Sequence, residues 1–384
     1  MKRWKSFFIL LLVFLIVFQT LIPALADTRI PDGYDERQWE RLTDTCLDYE
    51  EIEDRIVNFG STYLSAQQEL SKNYAAYESA AGELDSTIKE SRNALKDAKE
   101  ERDAIGIAYN QAILDAEEDA KKAFEKVAKI IRGNTDRILN TTVRGGLVMN
   151  TENLMITYYR LSYATELLDA SVILAESAYQ SVLTQKSLGL ATDADVLAAQ
   201  DSLLTARLQQ QTTRDQQKQI KQNICMLTGW DYDAEIEFGP VPEPVLSRID
   251  GMDPDADSEK AIGNNYTLSS LRHNPATGAL EKRNRLEKME EMEEQIRAGI
   301  NRSYTDVLAA QNSRQAAADA YESAGLGFAA AGRQYQLGLL GDLQYQQMKV
   351  GYLAEKMNYE NAGLDLFWAM ETYDWAVAGQ LSLE

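Results

Sequence analysis

A turn pattern that occurs twice constrains this chain most. Each copy places a Leu-Gly-Leu turn between two long helix-forming runs, and each second run ends at a glycine. The first turn is centred on Gly189 and its return run closes 40 residues later, at Gly229. The second is centred on Gly338 and closes 41 residues later, at Gly379. Matched arms indicate an internal duplication, so the two halves are expected to pack side by side.

Proline placement shows where helices can run unbroken. No proline occurs between Pro31 and Pro240, and none follows Pro275. Because proline removes a backbone donor and clashes inside a helix, both windows can hold long helices. The sequence predicts an all-α fold of long antiparallel helical hairpins in two tandem structural repeats.

Helical periodicity places the long runs. The segment Thr43–Arg132 carries apolar residues at steps of four and three, the seam of a coiled coil. The seam positions are Leu84, Ile88, Ser91, Leu95, Ala98, Arg102, Ile105, Tyr109, Ala112 and Ala116. Arg102 interrupts the apolar stripe, and Gly82 and Gly106 weaken the helix, which leaves a turn or kink near either of them open. Further helices are predicted over Asn150–Ser187, over Thr192–Met226 and, as one rod, over about Ala279–Gln336.

Glycine pairs and extended stretches suggest the breaks and boundaries. Gly133-Asn134 and Gly145-Gly146 are predicted breaks, with residues 137–143 between them as a short strand or a loop. The predicted boundaries are 1–26 for a signal peptide, 27–43 for an N-terminal extended segment, 44–229 for the first repeat with its coiled-coil extension, 230–257 for a Pro/Gly-containing linker, 258–379 for the second repeat and 380–384 for a tail.

The N-terminus is typical of an exported protein. Lys2, Arg3 and Lys5 precede an apolar run over residues 7–18, and Ala24-Leu25-Ala26 offers a cleavage site. An uncleaved signal anchor is the alternative, although the apolar run is short for a spanning helix. We expect location in the cell envelope, associated with an outer membrane or a cell wall.

Charge and cysteine content narrow the partners. The net charge of −21 argues against nucleic acid as a partner, since phosphates repel an acidic chain. Cys46 and Cys225 are the only cysteines, and they fall at the start and the finish of the first repeat. In an exported protein they form either a disulfide or two separate thiols.

The first turn carries a more specific pattern, in which Gly189 is followed by Thr192, Asp195 and Val196. This arrangement resembles the TolC family of outer-membrane efflux proteins, whose repeats each place such a turn at the tip of a helical hairpin. The resemblance covers roughly residues 44–379. It implies a TolC-like α-barrel protomer that assembles as a homo-trimer and works with a periplasmic-adaptor-like membrane fusion protein and an inner-membrane pump.

The resemblance also implies a gate at the tips. The family's tip aspartates line the constriction of the tunnel, and Asp195 falls at that position, with Asp193 beside it. In the second turn, after Gly338, Gly341 stands where threonine is usual, and Asp342 is the only acid. A ring of these carboxylates can select by charge and gate. The alternative is that Asp195 caps the return helix, and the two roles are compatible.

One departure from the family concerns its membrane strands. Each family repeat normally contributes two strands of about 9 to 11 alternating residues to a membrane barrel, and neither half of this sequence offers convincing ones. We therefore expect a barrel-less member, with little or no β-barrel, in which the coiled-coil extension replaces the missing strands.

The sequence shows no pattern of an enzyme. His273 is the sole histidine, zinc-ligand spacings are absent and no phosphate-binding glycine motif occurs, so no cofactor is expected. The sequence favours the helical tunnel component of an efflux or export conduit. The alternative is a secreted or wall-associated coiled-coil protein that keeps the fold for a structural or binding role.

Overall fold

The computed structural model describes residues 30–31, 33–273 and 278–380. It divides into two compact units, one ending at Cys46 and the other beginning at Leu47. The predicted signal peptide, residues 274–277 and most of the predicted tail lie outside the described residues.

The helices and strands follow one another in this order: α1 Glu36–Thr43, β1 Cys46–Leu47, a 3-10 turn Tyr49–Glu51, α2 Ile52–Phe59, α3 Ser61–Glu101, α4 Ala104–Ile138, a π-helical turn Leu139–Arg144, α5 Gly145–Ser187, α6 Asp193–Leu227, β2 Glu237–Phe238, a 3-10 turn Leu246–Gly251, α7 Pro254–Asn264, α8 Tyr266–His273, α9 Ala279–Gln336, α10 Asp342–Trp375 and a π-helical turn Ala376–Gln380.

In the first unit, the predicted extended segment 27–43 contains a helix. The Asp35 side chain accepts a hydrogen bond from the Gln38 backbone N–H at 2.8 Å, and the Gln38 side chain accepts one from the Asp35 backbone at 3.0 Å. This reciprocal capping satisfies two otherwise unpaired donors and begins α1 at Glu36. The prediction of an extended chain was therefore wrong for residues 36–43.

The second unit contains three antiparallel helical hairpins. Hairpin A is α3 with α4, hairpin B is α5 with α6, and hairpin C is α9 with α10. For hairpins B and C the predicted helix ends are confirmed: α5 ends at Ser187 and α9 runs over Ala279–Gln336. At about 1.5 Å per residue, α5 is about 65 Å long and α9 about 87 Å.

Each repeat has its own apolar core near the base of its hairpin. In the first repeat, Ile56 of α2 packs with Met155 and Ile156 of α5 and Ile224 of α6, all nearly fully buried. In the second, the core contains Leu268, Ile296, Ile300, Leu366 and Met370, which are equally buried. Full burial of each such side chain contributes about 1.5–3 kcal/mol, so these clusters hold the hairpins together.

Helix α10 joins the two cores. Leu364 and Phe367 face the first cluster, whereas Tyr373 faces the second. Aromatic residues at the end of the second repeat cap the core where the main helices meet. Phe367 and Tyr373 are buried, and Trp368 and Trp375 pack against the first cluster.

Hairpin A departs from the predicted continuous coiled coil. Ile88 and Leu95 of α3 face Leu114 of α4 in a small buried cluster, as a seam requires. The chain reverses at Arg102, however, and the seam does not continue through it: Ile105, just after the turn, is 83% exposed. Arg102 takes left-handed φ, which is uncommon without glycine. Gly106, near which the sequence leaves a turn open, lies four residues later, in the first turn of α4.

The junction between hairpins A and B also differs from the prediction. No break occurs at Gly133-Asn134 or Gly145-Gly146, and residues 137–143 form neither strand nor loop. The backbone stays helical and passes through the wide turn Leu139–Arg144. A Cβ at Gly145 would lie about 2.5 Å from the Gln380 side chain, so this glycine serves close packing rather than a break.

The predicted linker contains local structure. The Gly239 N–H donates to the Leu47 carbonyl at 2.9 Å, next to the two-stranded pairing of β1 with β2. Helix α7 begins at Pro254, four residues before the predicted start at Ser258, because Asp253 caps it and proline suits a first helical position. Among the described helices, none has a stretch that is long and apolar enough to cross a bilayer.

Candidate functional site

The first candidate site is the tip of hairpin B, where a glycine reverses the chain. Gly189 has a φ of 75°, in the left-handed region. Its N–H donates to the Lys186 carbonyl at 2.9 Å, and the Leu190 N–H donates to the Gln185 carbonyl at 2.8 Å. These bonds satisfy carbonyls that α5 would otherwise leave unpaired, so the turn is compact and fixed.

The tip motif residues Thr192 and Asp195 form a reciprocal cap on α6. The Asp195 N–H donates to Thr192 Oγ1 at 3.2 Å, and the Thr192 N–H and hydroxyl each donate to Asp195 Oδ2 at 2.7 Å. The hydrogen bond from the Thr192 backbone holds the pKa of the Asp195 carboxyl below its usual range. Thr192 is therefore the N-cap residue of α6, Asp195 completes the capping box three residues later, and the Asp195 side chain is exposed.

The other motif residues of this tip have distinct surroundings. Asp193 forms an ion pair with Lys186 across the turn, and Val196 is half-buried. The structure thus brings both predicted acids, Asp193 and Asp195, to the first turn of α6, where negative charge also suits the helix dipole.

The tip of hairpin C repeats the geometry with different side chains. Gly338 has a φ of 71°, and the Leu339 N–H donates to the Gln334 carbonyl at 2.9 Å. Gly341 occupies the cap position, where no side chain accepts a hydrogen bond. Asp342 accepts one from the Tyr335 hydroxyl at 3.2 Å. Each return helix begins four residues after its turn glycine, so the two turns have the same length.

Both tips expose two leucines. Leu188 and Leu190 are 69% and 75% exposed on hairpin B, and Leu337 and Leu339 are 73% and 74% exposed on hairpin C. Large apolar side chains at this exposure cost free energy in water when they cluster. Both tips therefore present a matched pair of exposed apolar side chains.

The two repeats also match at their bases. Gly229 and Gly379, which close α6 and α10, both have positive φ. A Cβ on Gly229 would collide with the Phe59 carbonyl at the end of α2, and one on Gly379 would lie 2.7 Å from the Asn264 carbonyl at the end of α7. Each repeat therefore closes by seating a short helix against its terminal glycine.

A ladder of stacked aromatic rings along hairpin C was not predicted. Neighbouring rings lie 4.5–5.5 Å apart with interplanar angles of 11–28°. The ladder consists, in order, of Tyr359, Tyr321, Tyr352, Phe328, Tyr345 and Tyr335. Its members recur every seven residues on each helix, which is the sequence signal that could have revealed it.

Sequence reasoning also missed a buried carboxylate. Glu152 of α5 is 8% exposed and accepts a hydrogen bond from Trp375 Nε1 at 3.1 Å. Burial raises its pKa to about 7, and the nearby charge of Glu371 adds to the shift. Glu152 lies between the repeats, where the end of α10 meets α5.

The remaining candidate residues lie apart from the tips. Cys225 is a buried thiol, and its burial raises the pKa of the thiol. A disulfide between Cys46 and Cys225 stays a prediction. His273 ends α8 and its ring Nδ1 lies 2.7 Å from the Ser269 carbonyl. Within residues 30–31, 33–273 and 278–380, no cluster of three or more His, Cys, Asp or Glu side chains could hold a metal ion.

Comparison with known proteins addresses the fold. No protein-family model matches the sequence, and neither does any curated protein. Among solved structures, that of CusC, whose description concerns folding and transmembrane channel formation, aligns with a TM-score of 0.52 at 12% identity over 86% of this chain and 96% of that one.

Two other solved channels are more distant. The CmeC outer membrane channel of Campylobacter jejuni aligns with a TM-score of 0.43 at 12% identity, covering 69% of this chain and 68% of its own. The outer-membrane channel OprN aligns at 0.42 and 10% identity, covering 92% and 98%. The CusC alignment and the paired helical hairpins show that the chain has a TolC-like, almost entirely helical fold.

Proposed function

We propose that this chain is the helical tunnel component of an efflux or export conduit in the cell envelope. The observation that carries the proposal is the pair of hairpins B and C, which end in matched tips with the same turn geometry and the same exposed leucines. In a TolC-like assembly, such hairpins from several copies form the tunnel wall and place their tips at one end.

Exposed apolar residues on the hairpin shafts support assembly into a trimer. Leu197, Leu204 and Leu208 of α6 are 65%, 56% and 67% exposed and recur at helical spacing on one face. Leu326 of α9 is 70% exposed. A monomer leaves these side chains in water, whereas a closed ring of sister copies buries them.

The tips suit a partner of matching chemistry. An adaptor protein that presents apolar side chains to the four tip leucines would bury them, and an inner-membrane pump would supply the energy for transport. The carboxylates of Asp193, Asp195 and Asp342 would then form an acidic ring at the tunnel mouth, which favours cations and can gate. The chain itself contributes a passage and no catalytic step.

The oligomeric state tests the proposal. We expect the exported chain to run as a trimer by mass photometry, and the double variant Leu204→Glu/Leu208→Glu to run as a monomer because charge at these positions cannot be buried. Leu280→Glu, at a similarly exposed leucine near the start of α9, serves as the control and should remain trimeric. A wild-type monomer at all concentrations and salt conditions would sink the tunnel proposal.

One observation favours the alternative of a wall-associated structural protein. Hairpin A has no counterpart in the second repeat, where only residues 274–278 separate α8 from α9. A coiled coil that belongs to one repeat alone suits a binding arm. If the protein is monomeric and co-sediments with isolated cell-wall sacculi through hairpin A, this alternative is favoured over the tunnel.

A further inference from the structure

Arg314 of α9 lacks the acidic partner that other arginines of this unit have. Arg160, Arg248 and Arg297 each pair with a carboxylate of another element. Arg314 is half-buried, its Nε atom is buried without a hydrogen-bond partner, and no ion pair to it occurs in the described part of the chain. Leaving a buried charged donor unpaired is costly, so an acceptor is expected at this position.

The guanidinium of Arg314 opens onto a cavity of about 360 Å³ between α9, α10 and the linker. Gln311 and Asn312 supply amide donors on the wall, and Gln315, whose amide also donates to Asp319 at 3.0 Å, supplies a third. None of the described residues that line the cavity is a carboxylate, although the chain carries a net charge of −21. Its polar groups therefore favour a negatively charged ligand.

The rest of the wall is apolar or aromatic. The Tyr359 ring centroid lies 5.8 Å from the Arg314 guanidinium, and Leu246 and Leu366 complete the wall. A second cavity of about 290 Å³ shares Arg314 and Tyr359 but is also lined by Glu243 and Glu360, whose charges disfavour an anion there. The ligand is thus expected on the acid-free side.

The groups that line the cavity favour the carboxylate of an organic acid over inorganic phosphate. A guanidinium binds a carboxylate through two parallel hydrogen bonds, and its planar fork suits that geometry. Inorganic phosphate has no apolar body to contact Tyr359, Leu246 and Leu366, whereas an organic acid has one. The cavity volume is within the range of small-molecule sites.

We propose that this pocket binds the carboxylate of a small organic acid, with the Arg314 guanidinium as the anion anchor and the Tyr359 ring against the apolar body. The site lies on the shaft of hairpin C, far along α9 from the tip, and its occupancy does not depend on whether the protein forms a tunnel. The organic acid is therefore a ligand of the fold, bound in addition to any partner at the tips.

Isothermal titration with benzoate tests the site on the full exported chain. Wild type is expected to bind benzoate with millimolar affinity, and to bind the neutral isostere benzamide and inorganic phosphate at least tenfold more weakly. Arg314→Gln should weaken benzoate binding at least tenfold. The matched control Arg302→Gln, which removes an exposed arginine on the same helix, should bind as wild type does.

A second variant keeps the test decisive if Arg314→Gln folds poorly. Gln311→Glu places a carboxylate three residues before Arg314 on the same helix face, so it should pair with the guanidinium and displace benzoate. Benzoate binding that survives both variants, or equal binding of benzoate and benzamide, overturns the proposal. So does a wild-type oligomer that binds no benzoate and that dissociates on Arg314→Gln, because a carboxylate of a second copy then fills the pocket.

Discussion

Glu152 is a carboxylate in an environment that changes its ordinary chemistry. A glutamate on a long helix is ordinarily solvated, but here the packing of α10 on α5 buries it and leaves Trp375 Nε1 as its donor. The Tyr49 ring lies in the same core, and burial raises the pKa of its hydroxyl as well. The negative charges of Glu371 and Glu53 repel that of Glu152, which raises the pKa of Glu152 further and favours its neutral form.

This environment makes stability depend on pH. Because the folded-state pKa of Glu152 is about 7 against an ordinary value of 4.5, the folded state holds the proton more tightly. The contribution of Glu152 to the free energy of unfolding is therefore full below about pH 4.5 and is lost as pH rises through 7. From the size of the shift, this loss is up to roughly 3 kcal/mol.

Glu152→Gln tests this dependence, since glutamine keeps an oxygen for Trp375 and cannot ionise. In urea unfolding, the variant should match wild type near pH 5 and exceed it by up to roughly 3 kcal/mol near pH 8. Glu176→Gln, on the same helix but exposed and paired with Arg207, is the control and should not change the pH dependence. Parallel pH profiles for wild type and Glu152→Gln would refute the assignment.

At the scale of elements, the aromatic ladder distinguishes hairpin C. Phe328 stacks on Tyr345 at 5.5 Å and on Tyr352 at 5.1 Å, so one ring bridges two others on the facing helix. The Tyr321 hydroxyl lies 2.9 Å from that of Tyr352, and this hydrogen bond raises the pKa of Tyr321 to about 12. The ladder stabilises a hairpin whose long shaft is distant from the core.

Phe328→Leu is predicted to loosen hairpin C. The variant loses two stacked pairs at about 0.5–1.5 kcal/mol each while keeping an apolar side chain. Hydrogen exchange of the amides in the tip half of α9 and α10 should accelerate, and those of hairpin B should not change. Glu322→Ala, at an exposed position of the same helix, is the control. If both variants exchange alike, the ladder has no special stabilising role.

The sequence predicted hairpins B and C closely because a Leu-Gly-Leu turn separates the two helices of each hairpin. It left a turn near Gly106 open but did not place the reversal at Arg102, whose left-handed conformation is uncommon without glycine. Gly145 was interpreted as a break, but α5 begins there without interruption and the distant Gln380 side chain packs against it. The burial of Glu152 and the unpaired state of Arg314 likewise depend on contacts between distant segments, which local patterns do not encode.

At the scale of the second unit, the two repeats have equivalent contacts at their bases but different capping residues at their tips. Gly229 and Gly379 seat equivalent short helices, whereas the Thr192/Asp195 cap of hairpin B has only Gly341 as its counterpart in hairpin C. The proposed tunnel mouth would therefore alternate between capped, more acidic tips and uncapped tips.

Two variants separate the structural and the electrostatic role of Asp195. Thr192→Ala and Asp195→Asn both disrupt the cap, so both should accelerate hydrogen exchange at the tip of hairpin B. Only Asp195→Asn removes a negative charge, so only it should lower the cation selectivity of the assembled protein, measured as the binding of a divalent cation relative to an anion in equilibrium dialysis. Acidification should have the same effect as Asp195→Asn once the Asp195 carboxyl is protonated, because protonation removes its charge. The lowered pKa of Asp195 keeps the cap intact above that pH.

Equal selectivity in Thr192→Ala, Asp195→Asn and wild type would restrict Asp195 to capping. A change of the same size in both variants would trace selectivity to tip order instead of charge.

The wide turn Leu139–Arg144 has a mechanical consequence. It makes α4 and α5 one uninterrupted column of 84 residues, Ala104–Ser187, about 125 Å long. One surplus residue in that turn rotates all that follows by about 100°, so the column presents one stripe to α3 and another to α6 and α10. A rotation of α4 at the outer end of hairpin A would thus be transmitted along this continuous helix to the Leu-Gly-Leu turn of hairpin B.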